Sequence, residues 1–228
     1  MVGGSMLQAL IFDFDGLIVD TETVIVEVWE RMHHEAELVC DRAVLHALVG
    51  SADEQADVWS AFPVAESRVE LDRRWREVVR ELTRSAPILP GVGELIKEAR
   101  AAGLRLAVAS NSQHRHVDRH LEHRGLLDSF DAIVCRDDVR VGKPDPEVYV
   151  RALERLGVSA AEAVALEDSK LGHLAAHAAG LPVMVVPNPS TAHDTFAHAA
   201  WRRDSMAGLT LAALRELHRA QREASARA

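Results

Sequence analysis

Residues 7–14 (LQALIFDF) form an apolar run of large aliphatic and aromatic residues, closed by acids and Gly16. The run is too short for a helix and reads as a buried strand. From Thr21 to Ser85 the spacing becomes helical, turn signals are few and Gly50 is the only glycine. Breaks at Gly50-Ser51 and Phe62-Pro63 divide this stretch into a small helical bundle. Punctuation returns at residues 87–93 (PILPGVG), and from there helix and strand alternate. Helices are predicted over 94–102, 114–124, 146–156, 171–179 and 209–224, the first four of them stopped by Gly103, Gly125, Gly157 and Gly180. Strands are predicted over 104–109, 131–135, 163–166 and 182–186. Such alternation implies a doubly wound parallel sheet with right-handed crossovers. The expected organisation is an α/β core from residues 6–20 and 87–228, with an α-helical domain inserted over 21–86.

Composition narrows the function classes. The chain has 228 residues, 48% hydrophobic and 27% charged, a globular balance that excludes a disordered chain. Its charge is 26 − 35 = −9, which argues against nucleic acid as a partner. Residues 21–85 carry 14 acids against 8 arginines and no lysine, a net of −6. No apolar run approaches the roughly 20 residues needed to span a bilayer, so no membrane partner is expected. The opening MVGGSM has neither a basic start nor an apolar stretch, which argues against secretion and points to Met6 as the natural start. The 2 cysteines, Cys40 and Cys135, make no disulfide framework and fit a reducing, cytoplasmic location.

In a doubly wound sheet the binding crevice lies beyond the carboxyl ends of the strands. After the first strand come Asp13-Phe14-Asp15-Gly16, and two acids two apart on extended chain face the same way. The second strand ends in Ser110-Asn111-Ser112 and the fourth in Glu167-Asp168-Ser169. Lys143 sits between Gly142 and Pro144, and it is one of only three lysines beside 23 arginines. Acids suit a hard divalent cation, while a hydroxyl and a fixed ammonium suit an anion. Together they describe a site for a divalent metal and a phosphoryl group.

These segments resemble the motifs of the haloacid dehalogenase superfamily, in the branch with a helical cap inserted after the first motif. IFDFDGLIVDTE, LAVASNS, VGKPDPEVY and ALEDSKLGHLAAHAAG stand in the order of its four motifs, and the match covers nearly the whole core, from about Leu7 to Pro189. The resemblance implies a Rossmann-like core and an aspartyl-phosphate mechanism, with Asp13 as nucleophile and Asp15 as general acid/base. It further implies Mg²⁺ held by Asp13, the Asp15 backbone carbonyl and Asp168 with Glu167 close by, and a phosphoryl group bound by Ser110, Asn111 and Lys143. The expected substrate is a small phosphorylated metabolite such as a sugar or polyol phosphate. Specificity loops of the family fall at Gly50, Ser51 and Asp53. The oligomeric state is not legible.

Other chemistries of the family fit less well. Dehalogenases lack the second aspartate, and phosphonate-cleaving members need a cap lysine. Sugar phosphomutases of the β-phosphoglucomutase type share all four motifs. They carry a histidine and an arginine where this chain has Ile25 and Asp53. A non-catalytic binding protein on the same core would lack a nucleophile or a metal acid, and none is missing. The i, i+4 pairs His116/His120 and His173/His177 have zinc-compatible spacing, but no cysteine or acid nearby in sequence completes a set, so they read as solvated. His114 is expected near the mouth of the site, Trp29, Trp59 and Trp75 in the core of the cap, and both cysteines in structural roles.

Overall fold

The computed structural model describes residues 6–40, Trp59, Phe62 and 67–226. The strands are β1 (Ala9–Phe12), β2 (Arg105–Ala109), β3 (Ala132–Val134), β4 (Ala163–Glu167), β5 (Val183–Val185) and β6 (Trp201–Arg202). The helices are α1 (Thr21–Glu35), α2 (Arg68–Ser85), α3 (Val92–Ala101), α4 (His114–His123), α5 (Glu147–Leu156), α6 (Lys170–Ala178) and α7 (Leu211–Ser225). All six strands pair in parallel, in the order β3-β2-β1-β4-β5-β6. This is the expected doubly wound α/β architecture. β6 was not anticipated, because a two-residue strand leaves no alternation to read.

Side-chain size divides the two faces of the sheet. Leu10, Phe12, Leu106, Val108, Val164 and Leu166 point into one buried layer with residues of α3, α4 and α7. The alternate positions Ala9, Ala107, Ala109, Ala163 and Ala165 face α5 and α6. Large residues fill the first layer by volume, and small ones let the helices of the second approach the sheet closely. α6 goes furthest: a Cβ on Gly172 would lie 1.9–2.2 Å from the Glu167 carboxylate. The alanine face therefore also fixes a charged residue at the end of β4.

β1 is shorter than its apolar run because the chain leaves the sheet to reach the insert. Asp13 N still donates to Leu166 O at 2.9 Å, but Gly16 takes φ +78° and its N–H turns to Val19 O. A Cβ there would meet Asp168 Oδ2 and Asn188 Nδ2 at 2.5 Å, so both backbone and space demand glycine. Asp20 then caps α1 by accepting from Thr23 N. The returning strand of chain pairs Ile88 with Val19, so exit and re-entry run side by side. α1 and α2 share their own hydrophobic cluster, built on Trp29, Met32, Trp59, Phe62 and Leu71. Trp29 and Trp59 lie 4.6 Å apart, in the core role expected of them. Among the described residues, no helix is long and apolar enough to cross a membrane.

Two helical glycines should respond to alanine with opposite sign. Gly172→Ala must displace the buried Glu167 carboxylate and is expected to lower stability by about 1–3 kcal/mol. Gly93 in α3 has nothing within 4 Å of an added Cβ. Gly93→Ala should therefore raise stability by about 0.5–1 kcal/mol through helix propensity alone. Urea unfolding of both variants checks the contrast.

Candidate active site

Because β1 lies between β2 and β4, their carboxyl ends bring three chain segments to one crevice. Asp13 is buried at the end of β1, and its Oδ1 accepts from Lys143 Nζ at 2.5 Å. The same ammonium donates to Glu167 Oε1 at 2.6 Å. Lys143 itself is held from behind: Asn111 Oδ1 accepts its backbone N–H at 2.7 Å, and Asn111 Nδ2 donates to its carbonyl at 3.2 Å. The Asn111 side chain is thus committed to the lysine loop, and the Ser110 hydroxyl accepts from Ser112 N at 2.9 Å; both residues line the crevice.

Glu167 lies between Lys143 and the start of α6. Its Oε1 also accepts from Tyr149 OH at 2.5 Å, and Oε2 accepts from the Asp168 and Ser169 amides and the Ser169 hydroxyl. Asp168 is completely buried; its Oδ2 accepts from Asn188 Nδ2 at 2.8 Å, while its Oδ1 has no hydrogen-bond partner. Asn188 Nδ2 also donates to Glu22 Oε2 at 2.8 Å, which links the first turn of α1 to the crevice.

Asp15 stands apart from this group. Its carboxylate accepts from Thr21 Oγ1 at 2.8 Å and Ser112 Oγ at 2.6 Å, and lies 2.9 Å from His116 Nε2. These residues enclose a cavity of about 440 Å³, walled on the insert side by Ile25 of α1 and by Trp75, Val79 and Thr83 of α2. The last three recur every four residues and so form one face of the helix.

The electrostatics reveal a shortage of positive charge. Burial, only partly offset by Lys143, lifts Asp13 to about 7. Burial lifts Glu22 to about 8 against the Asn188 hydrogen bond, and it drives Asp168 well above the carboxylate range. Lys143 moves the other way: burial opposes its charge, but Asp13 and Glu167 outweigh burial and raise it. Asp15 is also buried, yet the bonds from His116, Ser112 and Thr21 hold it at about 2. One ammonium among four carboxylates leaves room for a cation. Ligand oxygens of Asp13, Glu167 and Asp168 lie within 4.8 Å of one another, and the orphaned Asp168 Oδ1 is an acceptor awaiting a partner. An all-oxygen set of this kind fits a hard divalent ion such as Mg²⁺.

Asp13, Asp15, Ser110, Asn111, Lys143 and Asp168 all line the crevice, and Glu167 lies directly behind it. Gly50, Ser51 and Asp53 lie outside the described residues. His114 is not at the mouth: it faces Asp118 and Asp138 instead. His116 is the histidine that reaches the site, and His120 packs against it at 4.5 Å. The helical spacing contained that signal, since Val117, His120 and Leu121 mark the buried face of α4 and His116 adjoins it. Thr21, Glu22, Ser112 and Asn188 were also overlooked; Asn188 follows β5 and thus obeys the same strand-end rule as the others.

The haloacid dehalogenase-like hydrolase profile matches residues 10–186. The chain is 38% identical to the YhcW protein of Bacillus subtilis, with 92% of this chain and 96% of that protein aligned. Hexitol phosphatase B of Escherichia coli O157:H7 is 32% identical over 92% of this chain and 94% of its own. β-Phosphoglucomutase of Bacillus subtilis is 28% identical over 77% of this chain and 81% of its own. The crystal structure of CbbY from Rhodobacter sphaeroides in complex with phosphate superposes with a TM-score of 0.76 at 32% identity, covering 92% of this chain and 99% of that one. The chain belongs to the haloacid dehalogenase-like hydrolase family, as an enzyme of phosphoric monoesters.

The buried acids predict a pH response of the metal-free protein. A carboxyl raised by folding binds its proton more tightly in the native state, so its contribution is lost as pH rises through the folded value. In chelator, stability to urea should fall as pH rises from the unfolded values of 3.8 and 4.5 up to about 7 and about 8, where Asp13 and Glu22 have ionised in the native state, and level off above that. Excess Mg²⁺ should flatten that decline. A flat profile in chelator would mean that these acids are already ionised.

Proposed function

We propose that the protein is a Mg²⁺-dependent phosphatase that hydrolyses a small sugar or polyol phosphate through an aspartyl-phosphate on Asp13. Asp13, Asp168 and the Asp15 backbone carbonyl would hold the ion, with Glu167 fixing Lys143 beside them. Mg²⁺ when bound supplies the positive charge that lets a carboxylate and a phosphate approach one another. The Asp13 carboxylate attacks phosphorus in line with the departing alkoxide, so one hard displacement becomes two easier ones. Lys143 neutralises the shared oxygens, and the Ser110 hydroxyl with the Asn111 amide donates to the phosphoryl group. Asp15 protonates the leaving oxygen and then takes the proton of the water that cleaves the intermediate. Its three donors keep it ionised at rest, so the proton it delivers must come through a neighbour. His116, 2.9 Å away and raised above its usual value by Asp15 against the cost of burial, is suited to supply it.

The observation that carries the hydrolase reading is the insert wall. Ile25 occupies the position where the mutases carry a histidine, and it lines the cavity beside Trp75 and Val79. A mutase must grip the far end of its sugar and keep water from the phosphorylated aspartate until that sugar returns. Among the described residues the insert wall offers Ile25, Val79, Thr83 and the Trp75 indole but no cation to grip a second phosphate, which supports loss of the intermediate to water. Trp75 Nε1 is a buried donor without a hydrogen-bond partner among the described residues. The inserted helices act in this reading as the selective cap, and two free thiols accord with a cytoplasmic enzyme.

The deciding experiment incubates β-glucose 1-phosphate, with a trace of the bisphosphate as primer, and separately a panel of polyol phosphates. Inorganic phosphate should be the main product throughout, and glucose 6-phosphate should not accumulate. Isomerised sugar outpacing free phosphate would establish the mutase instead, the reading favoured by the β-phosphoglucomutase relative. EDTA should abolish turnover and Mg²⁺ restore it.

The Asp15–His116 pair makes a separate prediction. His116→Phe should slow hydrolysis of alkyl phosphates, which need a proton on departure, on the order of 10²-fold. Aryl phosphates with acidic leaving groups should lose far less. Equal losses on both classes, measured as kcat, would remove His116 from proton transfer.

A further inference from the structure

A second set of metal-ligating side chains lies on the same edge of the sheet, outside the cavity just described. His114 opens α4, and Cys135 and Asp137 follow β3. One ligand atom from each lies within 4.8 Å of the other two. The three differ in depth: Cys135 is fully buried, His114 is half-buried and Asp137 reaches solvent. Two further carboxylates frame the imidazole, with Asp138 Oδ2 2.7 Å from Nε2 and Asp118 Oδ2 3.2 Å from Nδ1. Asp138 is also paired with Arg155 at 2.8 Å, whereas Asp118 and Asp137 have no arginine or lysine partner among the described residues.

We propose that His114, Cys135 and Asp137 form a second metal site, selective for Zn²⁺ or a similar borderline transition cation rather than Mg²⁺. The donor set decides the selectivity: thiolate, imidazole and carboxylate suit zinc and cobalt, whereas Mg²⁺ prefers oxygen alone. Three protein ligands leave a fourth position for water or for the nearby Asp138. Burial and the charges of Asp118, Asp137 and Asp138 push the Cys135 thiol up, so without metal it stays protonated. A divalent cation reverses that preference; the sulfur–hydrogen bond breaks, the proton leaves to solvent and the sulfur–metal bond replaces it. His114 gives up one of its two carboxylate contacts and the proton on that nitrogen, which also leaves to solvent, in exchange for the ion.

The position of the site gives it a structural consequence. The backbone N–H of Arg136, between two of the ligands, donates to Ser112 O at 2.9 Å. The loop from Ser110 to Ser112 leads directly into His114, so an ion here ties the end of β3 to the segment that faces the phosphate cavity. The zinc-like spacing noticed in sequence pointed elsewhere, to His116/His120. The structure commits His116 to Asp15 and gives His114 the cysteine from the neighbouring strand.

The test is a Co²⁺ titration of the full-length protein in excess Mg²⁺, which fills the all-oxygen site. A thiolate-to-cobalt charge-transfer band should saturate at one equivalent and disappear on adding Zn²⁺. It should vanish in Cys135→Ser and persist in Cys40→Ser. His114→Ala, at a half-buried position, and Asp137→Asn, at an exposed one, should bind on the order of tenfold more weakly or worse. Zn²⁺ should raise the thermal midpoint of the wild type and not that of His114→Ala. No charge-transfer band at saturating Co²⁺, or a band that survives Cys135→Ser, overturns the proposal. None of these readouts involves turnover, so they stand or fall independently of the phosphatase reading.

Discussion

The buried ammonium of Lys143, shared between Asp13 and Glu167, is the interaction on which the site depends. Three charges of net −1 lie almost wholly out of water. Such a set persists only when hydrogen bonds satisfy what the ion pair leaves over, and removing one partner from a buried pair costs about 3–5 kcal/mol. Each member has a separate support. Tyr149 and the amides at the start of α6 satisfy Glu167, and Asn111 clamps the lysine backbone from the end of β2. The parallel register of β1 with β4 sets Asp13 beside Glu167 before any side chain chooses a rotamer. The site is therefore a property of strand order as much as of the residues in it.

The same charge balance ties the helical insert to the core. Thr21 and Glu22 in the first turn of α1 bond to Asp15 and Asn188, so the acids of the crevice reach into the insert. At the other end Arg124, just past α4, donates to the carbonyls of Thr83 at 2.9 Å and Ala86 at 2.5 Å, where α2 runs out. A guanidinium on the last carbonyls of a helix satisfies orphaned acceptors and favours the negative end of its dipole. The cavity wall formed by Trp75, Val79 and Thr83 is thus referenced to the sheet through two groups of polar bonds. A change in insert position must break one of them.

Much of this was legible in the chain. The strands that carry the site are apolar runs closed abruptly by acids, hydroxyls or glycine, and that contrast is local. The fold follows from the alternation because parallel sheets admit few connections. What escaped was non-local. Helical spacing sets His116 beside the buried face of α4, but the packing of that helix against Phe14, which turns His116 toward Asp15, is not in the spacing. The pairing of the Asn111 side chain with Lys143 could not be read from two segments 32 residues apart. Cys135 and His114 looked unrelated for the same reason. β6 is too short to carry a pattern at all.

Selectivity follows from an asymmetry within the cavity. On the sheet side the wall is polar except for Leu171, and most of its polar groups are committed to one another. On the insert side the described wall is Ile25, Val79, the Trp75 indole and Thr83, whose hydroxyl donates to Val79 O, and among the described residues the indole N–H is left unmatched. An unsatisfied buried N–H costs about 1–3 kcal/mol, and that cost is recovered when a ligand oxygen arrives. A plain alkyl leaving group would gain from the apolar contact yet leave the indole unpaired. A second phosphate would bring its charge against a wall that offers no cation among the described residues, with the acids of the crevice close behind. Under the proposed phosphatase reading, a neutral leaving group that presents both carbon and hydroxyl would suit this wall better than either a plain alkyl group or a second phosphate.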